Sequence, residues 1–332
     1  MNWQSFRGDA PANMIVHTAS FPDVSDQWPL KDDVTRQINA INQTLVENPQ
    51  MQPPRIEKDA SGHKRIIPLH PLSERVYRDR PALVAWRTKL VPSALALYAI
   101  QNPLEEHLPD GTKMDSESRP WFIHANDAIG IRSRAQVLAI LADKYIKNDI
   151  DNVWVSLASG AAVPVFEALR KAHFYGQKVR LTLVDCDRVS LRWASKLATL
   201  EGLSVGDDVV LLQRDLIESV ICSDALIQEL GQQRAELVDA LGIFEYFSDA
   251  DAVTFLKHTQ RLVRPGGAII VSNMLTTSPQ IDFALRCIGW TPIYPRTLQQ
   301  LQEIHIAAGI SPEHVTVVVP KDGVYAVMEM RI

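Results

Sequence analysis

The chain has 332 residues, of which 46% are hydrophobic and 22% are charged; this composition is typical of a globular protein with one large core or two modest ones. The formal net charge is −5 and no run of Lys or Arg occurs, so a nucleic acid is not expected as a partner, and no apolar stretch is long enough to predict a membrane-spanning helix. The three cysteines, Cys186, Cys222 and Cys287, lack the spacing of a zinc site or a disulfide framework, so we expect a cytoplasmic protein without a metal ion and with reduced thiols.

The first third of the chain is rich in proline. Thirteen of the 20 prolines lie in residues 1–120. One amphipathic helix is predicted over residues 32–47, where apolar residues recur at helical spacing. Residues 73–102 are predicted as helical pieces that prolines interrupt. We therefore expect an irregular helical region here and not an independent domain.

From about residue 130 the sequence alternates regularly between strand and helix patterns. Buried strands are predicted over residues 152–157, 179–185, 208–213, 235–244 and 266–273, with helices between them. This alternation predicts an α/β fold with a doubly wound, mostly parallel sheet. At the C-terminus, two strand patterns joined by a Lys-Asp-Gly turn predict an antiparallel hairpin.

The first junction of this region has the pattern of a nucleotide cradle. Residues 153–169, VWVSLASGAAVPVFEAL, begin as a strand, turn at Ser-Gly-Ala-Ala and continue as a helix. A dinucleotide cradle needs GxGxxG, whereas this turn has only Gly160, and the chain has no GxxxxGK[ST]. The loop is therefore unsuited to a pyrophosphate. A ligand without phosphates needs only a sharp bend and a close backbone approach, which one glycine among small residues allows.

Several blocks between about Asn152 and Ile332 resemble, in order, the motifs of the class I S-adenosylmethionine (SAM)-dependent methyltransferases. They are VSLASGAA, LVDCD, LQRDL, AELVDALGIFEYFSD and LVRPGGAIIVSN. The resemblance implies a Rossmann-like, seven-stranded sheet with an antiparallel C-terminal hairpin in residues 131–332, and a helical cap in residues 1–130 that holds the acceptor. In the first motif, Ala158 and Ala162 stand where glycine is usual and Ser156 stands where an acid is common.

The resemblance also implies a set of SAM contacts. Asp185 would accept hydrogen bonds from the ribose hydroxyls, with Asp187 as the alternative if it does not merely cap a helix. Asp215 would lie near the adenine amino group unless it is a solvated loop acid. The full set of expected SAM contacts is Ser159, Gly160, Ala161, Asp185, Asp187, Asp215, Leu216, Gly242, Asn126 and Arg132.

Three further residues are the candidates for a direct part in the chemistry. Tyr246, or Phe244 beside it, would face the sulfonium and stabilise its charge through cation–π attraction. Glu245 would orient the acceptor or serve as a base. His124, in the segment before the first strand, is an acceptor contact or a structural residue.

The function that the resemblance implies is transfer of the SAM methyl group to a small molecule by in-line displacement, without nucleic acid or membrane. Two alternatives stay open. One is transfer or cyclisation of the aminocarboxypropyl arm, as in nicotianamine or azetidine-carboxylate synthases, with release of methylthioadenosine. The other is a SAM-binding protein without catalysis. A homodimer is an open expectation.

Overall fold

The computed structural model describes residues 3–6, 8–11, 13–148, 151–174, 176–231 and 235–332. The chain forms two compact units. Unit 1 comprises Met1–Phe21, Ser133–Thr276 and Ile293–Ile332, and unit 2 comprises Pro22–Arg132 and Thr277–Pro292. None of the described helices is long and apolar enough to cross a membrane.

The described residues contain eleven strands and eleven α-helices, together with shorter helical turns. The strands are β1 (Gln4–Ser5), β2 (Ile15–Ala19), β3 (Arg55–Lys58), β4 (Lys64–Ile67), β5 (Asp151–Leu157), β6 (Lys178–Asp185), β7 (Val209–Gln213), β8 (Ala235–Ala240), β9 (Val263–Met274), β10 (Val315–Pro320) and β11 (Tyr325–Arg331). The helices are α1 (Lys31–Glu47), α2 (Pro71–Tyr77), α3 (Pro81–Ala85), α4 (Ala94–Gln101), α5 (Arg119–His124), α6 (Asn126–Ala142), α7 (Val163–Phe174), α8 (Arg188–Leu200), α9 (Ala225–Leu230), α10 (Asp249–Thr259) and α11 (Leu298–Ala307).

Unit 1 is built on one large sheet with the strand order β1-β2-β10-β11-β9-β8-β5-β6-β7. Strands β9, β8, β5, β6 and β7 are parallel, and β11 runs antiparallel to both β9 and β10. Helices α6, α7 and α8 pack on one face, and α9, α10 and α11 on the other. The predicted doubly wound, mostly parallel sheet with a C-terminal hairpin is thus confirmed.

The sheet has two strands more than the predicted seven. Strand β2 pairs in parallel with β10, with His17 opposite Val318, and β1 pairs with β2. Only Ala19 of β2 is buried, so this strand has no strong alternation of buried and exposed residues, and the sequence pattern did not predict it. The first 21 residues consequently belong to unit 1 and not to the helical cap.

Unit 2 is mainly helical. Helix α1 buries the apolar residues of its predicted face, Val34, Ile38, Ile41 and Leu45. The segment Thr277–Pro292 also belongs to this unit, although the sequence placed it in the sheet domain. Arg286 of that segment donates to the carbonyls of Leu45 (2.7 Å) and Asn48 (2.6 Å) at the end of α1. The partners in these two hydrogen bonds are 241 and 238 positions apart in the sequence, so no local sequence pattern predicts them.

Candidate functional site

The carboxyl ends of the parallel strands bring the loops of unit 1 to one edge of the sheet. From β5 the chain order proceeds to β6 on one side, whereas β8 lies on the other. Such a reversal opens a crevice where open α/β sheets bind ligands. Of the expected SAM contacts, Gly160, Asp185, Asp215 and Gly242 follow or end β5, β6, β7 and β8 respectively, so they share this edge.

The loop after β5 has a backbone that glycine normally adopts. The φ angles of Ala158, Gly160 and Ala162 are 52°, 56° and 57°, in the left-handed region that penalises residues with a Cβ atom. The Ser159 N–H donates to the Val184 carbonyl of β6 at 3.0 Å and holds the loop in place. The two alanines that replace glycine in the first motif therefore adopt the left-handed backbone conformation that glycine favours.

Asp185 joins this loop to the end of β6. One oxygen, Oδ2, accepts the Gly160 N–H at 2.8 Å, and Oδ1 accepts the Asp187 N–H at 2.8 Å. Burial raises the pKa of this carboxyl even though the two backbone hydrogen bonds lower it. Each carboxylate oxygen has a second acceptor position, so the group can still accept hydrogen bonds from a ligand.

The other two acids at this edge bond to the backbone of their own segments. Asp187 caps α8, since its Oδ1 accepts the Val189 N–H at 2.9 Å. The exposed Asp215 accepts the Ile217 N–H at 2.8 Å. Partial burial, followed by the charges of Asp185, Asp215 and Asp187, raises the pKa of the Cys186 thiol. Asp185, Asp187 and Asp215 thus all lie near Cys186 at this edge.

A fourth carboxyl group, that of Asp239, was not among the residues predicted from the sequence, and it lies on β8 beside β5. Asp239 of β8 is 3% exposed and stands opposite Ser156 of β5. It accepts the Ser156 hydroxyl at 3.1 Å and the Trp154 indole N–H at 2.7 Å. Burial raises its pKa to about 7, against the effect of these two hydrogen bonds. The acid that β5 lacks at Ser156 is thus present across the strand pair, and its sequence signal was an acid in the middle of the mostly apolar run AELVDALGIF.

Glu245 is held in a buried cluster after β8. Its Oε1 lies 3.8 Å from Arg134 Nη1, and its Oε2 accepts the Met274 N–H at 3.1 Å. The Arg134 guanidinium in turn lies 4.3 Å from the centre of the Tyr325 ring and donates to Ser272 Oγ at 3.3 Å. These contacts give the Glu245 carboxylate a fixed position.

The two aromatic candidates after β8 differ in their surroundings. Phe244 is completely buried and packs against Phe247 and Phe255, with ring centres 6.5 Å and 6.2 Å away. Phe244 is therefore a core residue, which corrects the alternative that gave it the sulfonium. Tyr246 is half-buried in the short helical turn Phe244–Tyr246 and remains the aromatic candidate.

Comparison with known proteins gives matches only at the level of structure. No family model matches the chain, and no curated protein matches it. A protein of Bordetella parapertussis, described as a possible exported protein, superimposes with a TM-score of 0.60 at 12% identity over 94% of this chain and 99% of its own.

Two methyltransferase structures are also similar. An O-methyltransferase family protein of Burkholderia thailandensis has a TM-score of 0.45 at 15% identity, covering 94% of this chain and 99% of its own. The magnesium protoporphyrin IX methyltransferase of Synechocystis, solved with bound S-adenosylhomocysteine (SAH), has a TM-score of 0.44 at 15% identity, covering 64% and 88%.

The mostly parallel, doubly wound sheet and the antiparallel C-terminal hairpin of unit 1 are those that the sequence predicted. The chain has a Rossmann-like α/β fold. Within this fold the remaining expected contacts, His124, Asn126 and Arg132, belong to unit 2, whereas Gly160 and Asp185 belong to unit 1.

Arg132 has a structural role in unit 2. Its Nε and Nη2 donate to the two carboxylate oxygens of Asp23 at 2.7 and 2.9 Å. Its other hydrogen bonds go to the carbonyls of Ile100, Phe122 and Ile123 at 2.7–3.1 Å. An arginine has five N–H donors, and these five contacts use them all. Arg132 therefore has no donor left for the contact with SAM that the sequence predicted, and this prediction is wrong.

His124 and Asn126 flank the start of α6. His124 is 1% exposed, and its Nε2 lies 3.0 Å from the Pro29 carbonyl. Its Nδ1 is buried without a hydrogen-bond partner among the described residues, and burial lowers the pKa of the imidazole. The backbone N–H of Asn126 donates to Gln280 Oε1 at 2.8 Å. These contacts join the end of α5 and the start of α6 to other segments of unit 2.

Proposed function

We propose that unit 1 binds SAM and that the protein transfers its methyl group to a small-molecule acceptor. The observation that carries this proposal is the loop of residues 158–162. It has a glycine-like backbone at three positions and a direct bond from Gly160 to the Asp185 carboxylate. It also stands at the strand reversal, where this class of sheet binds ligands.

The residues at this edge fit the cofactor. The Ser159 hydroxyl is buried without a hydrogen-bond partner among the described residues, and such a group normally has one; the methionine portion of SAM would supply it. We assign Gly160 and Ala161 to the same portion and Asp185 to the ribose hydroxyls. Asp215 with Leu216 would hold the adenine, and Gly242 would line the crevice.

When bound, SAM supplies a methyl group on a sulfonium with a thioether leaving group. The protein then contributes mainly alignment and exclusion of water. Tyr246 would stabilise the cation through its ring face. Glu245, fixed by Arg134, would orient the acceptor. An alcohol or acid as acceptor needs a base and an amine does not. Unit 2 would form the acceptor-binding cap, with His124 as a candidate contact.

The aminocarboxypropyl alternative loses part of its support, whereas a SAM-binding protein without catalysis stays an open alternative. The first motif lacks two glycines, yet Ala158 and Ala162 adopt the positive φ angles that glycine allows. A cytoplasmic location remains part of the proposal, because Cys186 and Cys222 are exposed free thiols that a reducing compartment would preserve. No feature of the chain argues for a particular oligomer, so the homodimer stays a prediction.

The nucleoside product tests the proposed reaction. The protein is incubated with SAM alone and with SAM plus cell extract, and the products are identified by mass spectrometry. Extract-dependent SAH is expected. Detection of methylthioadenosine would indicate that the aminocarboxypropyl group is transferred or cyclised, and would contradict methyl transfer. The absence of both products would contradict an enzymatic role.

The ribose assignment predicts different effects for two neighbouring acids. Asp185→Asn should weaken SAM binding roughly ten- to a hundred-fold, since loss of a charged hydrogen-bond partner costs ~1.5–3 kcal/mol. Asp187→Asn is the matched control, because asparagine also caps helices, and its affinity should match the wild type. Calorimetric titration with SAM measures both. An unchanged affinity in a folded Asp185→Asn protein would show that the ribose lies elsewhere.

A further inference from the structure

Unit 2 contains a small cavity of about 40 Å³ with aromatic walls. Five rings line it: Trp86, Trp121, Phe122, Phe283 and Trp290. Trp86 stacks on Trp290 with ring centres 5.7 Å apart and meets Phe122 edge to face at 5.6 Å. The ring centres of Trp121 and Phe283 lie 5.6 Å apart, with the ring planes tilted by 37°. Ring faces and edges thus dominate the surface of the cavity.

The rest of the lining is aliphatic except for one acid. Ala125, Ala128 and Ala284 are among its small residues, and in the described part of the chain Asp127 is the one charged side chain that contributes to it. An apolar cavity with so few polar partners does not hold ordered water. It therefore favours an apolar occupant.

The walls differ in rigidity. Trp86 is 4% exposed and its indole N–H donates to the Ala96 carbonyl at 3.0 Å, which locks the ring. Trp121, Phe122 and Phe283 are also buried, whereas Trp290 is half-buried. Protein cores normally leave few voids larger than a water molecule. Trp290 is the one partly exposed ring in the wall of the cavity, so a movement of its indole would open the cavity.

We propose that this cavity binds a flat aromatic ring, and, resting on the function proposed above, that the ring belongs to the methyl acceptor. The volume is below the ~150 Å³ of an engineered apolar cavity that holds benzene, so Trp290 must shift for a ring to enter. Entry between aromatic faces then favours a flat ring over a bulky aliphatic one.

Fluorine NMR of the full chain with fluorobenzene tests the binding. Saturable line broadening is expected, with fluorocyclohexane at least tenfold weaker. Ala284→Leu fills the cavity and should weaken the binding of fluorobenzene at least tenfold. Ala40→Leu, on the exposed side of α1 in the same unit, is the control and should bind as the wild type does. Equal binding of the two probes, or equal binding by Ala284→Leu, would overturn the proposal.

Two further measurements separate the ring site from the SAM function. Should Ala284→Leu fail to fold, Trp290→Ala should instead bind 1-fluoronaphthalene at least tenfold more tightly than the wild type, and no gain would contradict the pocket. In the extract assay, Ala284→Leu should form at least tenfold less SAH while its SAM affinity is unchanged. Fluorobenzene binding without any SAM binding would leave the ring site standing and refute the SAM function; unchanged SAH formation would refute only the acceptor role.

Discussion

Replacing Gly160 with valine is expected to abolish SAM binding while unit 1 stays folded. Gly160 has a φ of 56°, a conformation in which a β-branched residue is a genuine outlier. Valine would move the backbone toward negative φ and draw the N–H away from Asp185 Oδ2, to which it now donates at 2.8 Å. The loop would lose its bond to β6 and its approach to the ligand together. Calorimetric titration with SAM and SAH should show a loss of roughly a hundredfold or more, equivalent to ~2.7 kcal/mol.

Two variants separate the site from the strain. Gly160→Ala should keep most of the affinity, because Ala158 and Ala162 already adopt the same φ. Gly202→Val strains a turn after α8 with φ +76° and no neighbouring atom within 4 Å of the added Cβ. It should cost about 1–2 kcal/mol of stability and leave SAM binding intact. If folded Gly160→Val protein bound SAM with wild-type affinity, the cofactor would have to lie away from this loop.

Asp239→Asn is expected to make the protein more stable and to weaken SAM binding. A buried carboxylate without a cationic partner destabilises the fold, and no ion pair involves Asp239 in the described part of the chain. Asparagine keeps the shape and a carbonyl acceptor for the Trp154 N–H. The lost negative charge, however, would have favoured a cationic ligand beside β5, so SAM affinity should fall roughly tenfold, ~1.4 kcal/mol.

The pH dependence of stability has a definite sign. The pKa of Asp239 rises from 3.8 to about 7 on folding, so the folded state holds the proton more tightly than the unfolded state. This contribution to stability is complete below about pH 4 and is lost as the pH rises toward 7. The free energy of unfolding of Asp239→Asn should therefore exceed that of the wild type by roughly 2–4 kcal/mol at pH 8 and equal it near pH 4. Urea unfolding at several pH values measures this difference.

A buried acid on the same strand provides the control. Glu236, at the other end of β8, accepts the Val153 N–H and pairs with Arg264 at 3.1 Å. Glu236→Gln should destabilise the protein, because it leaves Arg264 without its partner, and should not change SAM affinity. A loss of stability in Asp239→Asn at pH 8 would contradict the interpretation of Asp239 as an uncompensated charge.

The sequence by itself determined the architecture of unit 1 from β5 onward and the position of its loop. Alternating strand and helix patterns, the Lys-Asp-Gly turn and the lone Gly160 are local features, and side-chain periodicity depends only on neighbours along the chain. The helix of residues 32–47 was predictable for the same reason: its apolar positions recur every three or four residues. Asp185 was identified because the block LVDCD, in which it ends a predicted strand, resembles the second motif of the class I methyltransferases.

Only the tertiary structure decided which groups these elements bring together. Asp239 and Ser156 meet because β8 lies beside β5, a neighbour relation that the order of strands along the chain does not specify. Arg132 was expected at the cofactor, yet all five of its donors are satisfied by Asp23 and three carbonyls. The segment 277–292 joins unit 2 through bonds to α1. Hydrogen bonds and buried charges depend on distance in space, and partners on different elements of the chain leave no periodic trace in a single sequence.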